Sequence, residues 1–527
     1  MLSLSKTFLA LCLSFIVYKV IASRIKKRQQ NAKAAALGCL SPPVLRSKNW
    51  LGNSLLKESL KATKEDRGPQ FIRDTMDSIS PSCHTVKVPI LDYELIVTRD
   101  PENVRVLFSS ADFDISYTRE ASWMPLLGRG IFTSRGDVWK HSRALLRPQF
   151  AKDMISDLDM EEKHLDNLMS QLPLDTATGW TEKVDLQPLL FRLTLDIVTE
   201  FLYGQSVNSL TKVHHGKAGG DDDIAKHFDS AKVWIDKRGA FSKFYWLLNS
   251  KEFKEDCSTI HDYVDAIVAE RLALAKSEKP AADPEKGARF NLLNELTEAT
   301  QNPEELRNET LHVLIAGRDT MGCLLGWCMY FLARHPEVYA NLRKAVLDQF
   351  GDARPEFRGL RDCRYLQWVI TETLRVAAVI PLNERRALRD TVLPSGGGPD
   401  GKASVFVPEG TQVLIPFFAM QYRTDLWGPD VEEFKPERWE VKRAGWEFIP
   451  FGGGARKCLG QQYALTAIGY AIARVCQEYD HIDNMEQGDG RIRMHHAIEN
   501  RSGTGVQVRL HKAGSPAAET LSGESPI

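Results

Sequence analysis

At 527 residues and 43% hydrophobic content, the chain is long enough to bury a large core and exceeds the usual single-domain size. Its formal net charge of -1 gives no reason to expect nucleic acid as a partner, so specificity has to reside in sites. Nine cysteines without a C-x-x-C pair suggest neither a zinc module nor a disulfide framework, and a reducing, cytosol-facing body is the natural reading.

The chain opens on a mostly apolar stretch, Leu2 to Ala22, interrupted by Ser3, Ser5, Lys6, Thr7, Ser14 and Lys19 and followed by Arg24, Lys26, Lys27 and Arg28. A spanning helix needs about 20 mainly apolar residues, and this segment reaches that length if its lysines snorkel. Residues 1–23 are thus expected to form a single-pass transmembrane anchor, with the basic cluster holding the body on the cytoplasmic side. A cleaved signal peptide is the rival reading, but its charges should precede the apolar run. Residues 24–50, basic and then proline-containing at Gly38 to Leu45, read as a linker that sets the body's angle to a membrane.

Lys87 to Val97 reads as two short strands, and amphipathic helices are expected at Pro101 to Phe108, Trp139 to Ala151 and Leu186 to Leu202. Trp123 to Phe132 is apolar, glycine-punctuated and loop-like. Trp139 and Arg143 stand one turn apart on one helix face, where an indole N–H and a guanidinium suit an anionic carboxylate. His214 to Asp223 and Ser277 to Gly287 look loosely held, and the His214-His215 pair lacks a third metal ligand at sensible spacing.

A long helix is expected from the N-cap Asn302, with Pro303 at its first position and Glu305 completing a capping box, to Arg334 before His335-Pro336. At about 32 residues and 1.5 Å per residue it would span roughly 48 Å. In its middle lies Ala316-Gly317-Arg318-Asp319-Thr320, an acid and a hydroxyl in apolar surroundings. An unpaired buried polar group there costs about 1–3 kcal/mol, so a functional reason is the better account. Glu372 and Arg375 share a helix face, Pro381 forces extended chain ahead of Arg385, and Arg438 sits in F-K-P-E-R-W. Ser395 to Gly401 is a turn without the lysine of a phosphate loop, and Gly503 to Leu510 reads as a strand ahead of a disordered tail, 512–527.

The last pattern is Phe448 to Gly460, F-I-P-F-G-G-G-A-R-K-C-L-G, which sets Cys458 in a glycine-rich loop at the start of a helix from Gln461 to Ala473. Exposed backbone N–H groups and a helix N-terminus stabilise a metal-binding thiolate. Phe451-x-x-Gly454-x-Arg456-x-Cys458-x-Gly460, with the W-x-x-x-R, A-G-R-D-T, E-x-x-R and F-K-P-E-R-W stretches in this order, resembles the cytochromes P450 over essentially the whole chain.

That resemblance implies a mainly α-helical, haem-enclosing body with small β-sheets over 51–511. It implies haem iron on Cys458, with Arg456, Trp139, Arg143 and Arg385 toward the propionates and Phe451 and Gly452 against the porphyrin. It gives Asp319 and Thr320 the delivery of protons to bound dioxygen, and Glu372, Arg375 and Arg438 a structural triad supporting the haem loop. The pocket for a lipophilic substrate would involve Leu126, Leu127, Phe132, Ala316, Val379 and Ile380. The reaction implied is C–H monooxygenation with O2 and two electrons. No dinucleotide or flavin motif occurs in the chain, so NADPH would serve through a separate, membrane-bound NADPH–cytochrome P450 reductase docking near Arg456 and Lys457 at the endoplasmic reticulum.

Within the family, G-C-x-x-P-P, A-G-R-D-T and N-x-R-x-A resemble the fungal branch that hydroxylates n-alkanes and fatty acids. Met321, Gly322, Val376-Ala377-Ala378 and Tyr422 depart from that branch, which opens the alternative of a tailoring oxidase of fungal secondary metabolism. A haem-thiolate isomerase or dehydratase and a non-catalytic haem sensor are the readings from other classes. Asn308 and Asn500 carry formal glycosylation patterns that are expected to go unused.

Overall fold

The computed structural model describes residues 2–45, 53–80, 82–90, 93–150, 156–212, 221–276 and 291–515, leaving aside the side chains of 2–13, 16, 20, 53, 90, 93, 212, 221–223, 242 and 243. The body expected as one domain divides into two compact units. The smaller comprises Met1–Glu58, Ile72–Asp114 and Asn383–Pro416, and the larger Ser59–Phe71, Ile115–Leu382 and Phe417–Ile527.

In the smaller unit one helix, Leu2–Ala36, runs through the expected anchor and into the expected linker. Among the described residues no helix is long and apolar enough to cross a membrane, so the spanning anchor at 1–23 is not supported. Most of the apolar stretch has side chains outside the described set. Of the expected linker at 24–50, residues up to Ala36 are helical and 46–50 lie outside the described residues. Lys27 and Lys33 pair with Glu94 and Asp390 at 3.1 and 2.5 Å, and Gly38, at φ +67°, ends the helix while Cys39 N–H donates to Ala34 O. Proline then keeps the chain extended, so that Pro43 O accepts from Lys87 N–H and Leu40 N–H donates to Ser404 O.

Strands β1 (Thr85–Ile90), β2 (Tyr93–Thr98), β3 (Phe113–Asp114), β5 (Leu382–Ala387) and β8 (Gln412–Pro416) form a sheet of order β1-β2-β8-β5-β3. Its β1–β2 hairpin matches the two strands expected at 87–97. β6 (Thr391–Gly397) and β7 (Ala403–Val407) make a separate hairpin around Gly398 and Gly401, both at positive φ, where the sequence suggests a turn.

The larger unit is mainly helical. Its long helix, Pro303–Leu332, starts as expected, with Asn302 Oδ1 accepting from Glu304 and Glu305 N–H. Glu305 itself does not turn back to close a capping box, because it bonds Thr300 and His141. The helix packs on Leu186–Tyr203, where an added Cβ at Gly317 or Gly322 would lie 2.8 Å from Val198 or Phe191. Those glycines let the two backbones approach. Trp123 to Leu127, expected as loop, belongs to the helix Tyr117–Leu127. Pro125 survives there because the carbonyl it leaves without an N–H partner, Ala121 O, accepts from Arg238 Nη2 at 3.3 Å.

β9 (Tyr479–Asn484), β12 (Gln507–Lys512) and β4 (Val184–Asp185) form a three-stranded sheet, and β10 (Met494–His496) pairs β11 (Asn500–Ser502). Of the segments expected to be loose, 214–220 and 277–287 lie outside the described residues, whereas Asp221 to Asp223 open the helix Asp221–Ala240. Lys512 to Ser515 complete β12 and its turn, and the rest of the expected tail lies outside.

Candidate haem-thiolate site

The Cys458 loop is held by its own backbone. Gly452 and Gly454 occupy left-handed conformations, at φ +69° and +60°, which return the chain so that Cys458 N–H donates to Phe451 O at 3.0 Å. Gly453 has no room for a side chain, since a Cβ would meet the Trp446 ring at 2.5 Å. The helix Gln461–Glu478 follows at once, as expected. Cys458 is exposed, yet burial raises its thiol above the usual range, opposed by the Gly460 N–H and by the charges of Arg143 and Lys457. An exposed cysteine whose thiol sits in a largely desolvated surround fits a metal-bound thiolate, which needs the ion's charge to outweigh desolvation.

Arg456 donates to Ser134 O at 2.9 Å and lies 4.4 Å over the Trp139 ring. Arg143, on the helix Gly136–Leu146, donates to Lys457 O at 3.1 Å and lies 5.8 Å from the same ring. Three of the expected propionate contacts are therefore assembled around the loop, with two guanidiniums against one indole. Arg385 belongs to the smaller unit, where it lies 4.1 Å over Phe108 and donates to Glu384 O at 2.7 Å.

The three residues expected as a structural triad come together, two of them wholly desolvated. Glu372 and Arg375 are both fully buried, with Arg375 Nε and Nη2 donating to the two Glu372 oxygens at 2.9 and 2.8 Å. Arg438 Nε lies 3.5 Å from Glu372. Sequence reasoning missed the rest of this knot: Trp439 Nε1 and Lys435 N–H also donate to Glu372, and Asp430 holds Arg438 Nη1 at 2.8 Å.

On the long helix, Ala316, Gly317 and Thr320 are half-buried between fully buried neighbours, and their i, i+1, i+4 spacing puts them on one face. Thr320 Oγ1 donates to Ala316 O at 2.6 Å. Asp319 turns elsewhere. Its carboxylate lies 2.8 Å from Lys232 Nζ and 3.1 Å from Arg318 Nη1, Lys232 also pairs with Glu499, and Arg318 with Asp229. Burial raises the Asp319 carboxyl, and the charges of Lys232 and Arg318 oppose that rise. Lys232 sits 87 residues away in sequence, so no local pattern could reveal it.

Of the expected pocket residues, Leu126 and Leu127 are fully buried in the core and Val379 is buried, while Phe132, Ala316 and Ile380 keep accessible surface. Phe132 is fixed by a residue the sequence did not single out. His312 Nδ1 accepts from Phe132 N–H at 3.3 Å, and burial pushes its ring down to about 3, so it stays neutral. A Cβ on Gly130 would lie 2.4 Å from that ring. The departures at Met321, Gly322 and Tyr422 are matters of packing: Met321 is buried, Gly322 abuts Phe191, and the Tyr422 hydroxyl donates to Val376 O at 2.9 Å.

This chain matches the family model described as Cytochrome P450 over residues 78–499. It is 40% identical to "Cytochrome P450 monooxygenase g430" of Fusarium sp, covering 94% of this chain and 89% of that one. It is 36% identical to "Cytochrome P450 52A13" of Debaryomyces hansenii, over 89% and 90% of the two chains. With "Cytochrome P450 52E1" of Candida apicola it shares 38% identity over 86% and 87%.

Proposed function

The chain belongs to the cytochrome P450 family of haem-thiolate monooxygenases, and on that premise we propose that it hydroxylates a C–H bond at or near the end of a fatty acid, an alkane or a similar lipophilic chain. The observation that carries the substrate reading is the coincidence of three separate stretches with the fungal chain-hydroxylating branch, while packing accounts for the departures at Met321, Gly322 and Tyr422.

Bound haem supplies oxygen activation, with thiolate ligation favouring O–O cleavage and NADPH-derived electrons arriving one at a time. In this reading Cys458 is the ligand, and Arg456, Arg143 and Trp139 hold the loop that presents it. Thr320, on the half-open face of the long helix, would offer its hydroxyl to hold a proton for that chemistry. Asp319 acts through water rather than by direct contact, because both its oxygens face cations. Phe132, Ala316 and Ile380 line the substrate side. Lys457, exposed beside Cys458, and Arg456 suit docking of a reductase by electrostatic attraction. The exposed side chains of Phe15, Val17, Tyr18, Ile21 and Ile25, followed by the basic cluster, support association with the cytosolic face of the endoplasmic reticulum membrane.

A tailoring role in fungal secondary metabolism is the second reading. It is favoured by Ala378, a non-glycine residue at φ +48°, which sits directly before Val379 and Ile380 and sets their direction in place of the usual proline. Incubation with a reductase, NADPH and panels of fatty acids, alkanes and polyketides, followed by product analysis, decides between them. Terminal or near-terminal hydroxylation of the chains supports the first reading; turnover of polyketides alone overturns it.

A further inference from the structure

β9 and β12 run antiparallel with Ile482 opposite Leu510 and His481 opposite His511, but the next pair joins Tyr479 to Lys512. Asp480 is therefore the extra residue of a β-bulge. In a regular strand it would point to the face opposite His481, and the bulge instead brings its carboxylate round to the same side. A single oxygen, Asp480 Oδ1, lies 2.6 Å from His511 Nδ1 and 3.2 Å from His481 Nδ1. One ligand atom from each of the three residues lies within 4.8 Å of the other two.

We propose that Asp480, His481 and His511 form a binding site for a divalent late transition metal, zinc above all, clipping β9 to β12 across the bulge. Two imidazole nitrogens and one carboxylate oxygen are a donor set that suits zinc rather than calcium or magnesium. Zinc sits about 2.0–2.2 Å from such donors, which places tetrahedral ligand atoms roughly 3.3 Å apart. The present separations of 2.6 and 3.2 Å are both shorter than that, so the imidazoles must draw back from Asp480 by up to about 0.7 Å to admit the ion.

The site is also fixed on one side and open on the other. His511 is 4% exposed, its ring 5.1 Å from that of Trp180, and a Cβ on Gly179 would come within 2.9 Å of its Nε2. That packing aims Nδ1 at Asp480. His481 has a side chain 71% exposed, which gives an entry path and leaves room for water as a fourth ligand. Ordinary hydrogen bonding among the three would also give these distances, but it would give no zinc affinity that depends on them.

The test uses full-length, haem-loaded protein, so that Cys458 is occupied, first stripped with a chelator and then titrated with zinc by calorimetry while its unfolding temperature is followed. His481→Ala and Asp480→Asn are compared with the parent, and an unchanged carbon monoxide spectrum verifies that each retains its haem site. One zinc per chain in the parent, weakened about tenfold or more in both variants, with a zinc-dependent rise in unfolding temperature lost in both, supports the site. No zinc uptake by the parent, or equal uptake by parent and variants, overturns it.

Discussion

Replacing Glu372 by glutamine keeps the shape of the side chain and removes its charge. Glu372 Oε1 accepts from Arg375 Nη2 and Lys435 N–H at 2.8 and 3.0 Å, and Oε2 accepts from Arg375 Nε and Trp439 Nε1, both at 2.9 Å. An amide can accept at one end only, so two of those four donors face an N–H instead. Arg375, fully buried, is left with an uncompensated charge beside Gln421, Val431 and Glu433 carbonyls. Breaking a buried pair by removing one partner costs about 3–5 kcal/mol, against a total stability of about 5–15 kcal/mol. Denaturant unfolding of the haem-loaded protein, followed by tryptophan fluorescence and by the carbon monoxide spectrum, measures the loss. The same variant should shed haem-thiolate signal early in the transition. A loss below about 1 kcal/mol would refute the view that this knot supports the loop.

Cys458→Ala should abolish the thiolate-type carbon monoxide band, and a persisting band would place the iron ligand elsewhere. Thr320→Ala should raise the electrons consumed per product formed while Thr320→Ser retains coupling; equal coupling in both would remove Thr320 from proton delivery. Glu161 is pushed up to about 7 by burial, so the folded state holds a proton that the unfolded chain releases near 4.5. Stability should therefore be full below that range and fall by about 3 kcal/mol as pH rises through 7, a slope that Glu161→Gln flattens in pH-dependent unfolding. Gly130→Ala should displace His312 and the Phe132 loop, lowering stability by about 1–3 kcal/mol and weakening substrate-induced spectral shifts.

Local chemistry made much of this legible. Asn302 and Pro303 announce the long helix because capping acts within four residues, and the Cys458 loop is readable because left-handed glycines and the helix after it are neighbours in sequence. What lay hidden was nonlocal. Lys232 neutralises Asp319 from a distant element while also pairing with Glu499, and Trp439 and Asp430 complete the triad, through contacts that carry no periodicity. The missing side chain of Gly317 is demanded by Val198 on the neighbouring helix, a requirement that no local pattern displays. Trp123 to Phe132 reads as loop from its apolar, glycine-punctuated pattern, whereas a helix reaches Leu127 across Pro125, where Arg238 takes up the freed carbonyl.

That last contact has a consequence for how this sequence can change. Arg238 serves two masters, Ala121 O through Nη2 and Leu248 O through Nη1 at 2.7 Å. With alanine at 125 the helix would supply its own donor to Ala121, and the arginine would be dispensable there. With proline in place, loss of Arg238 strands a carbonyl. The order of substitutions is thus constrained: arginine first and proline second passes through a stable intermediate, the reverse does not. Descendants carrying Pro125 are committed to a donor at 238.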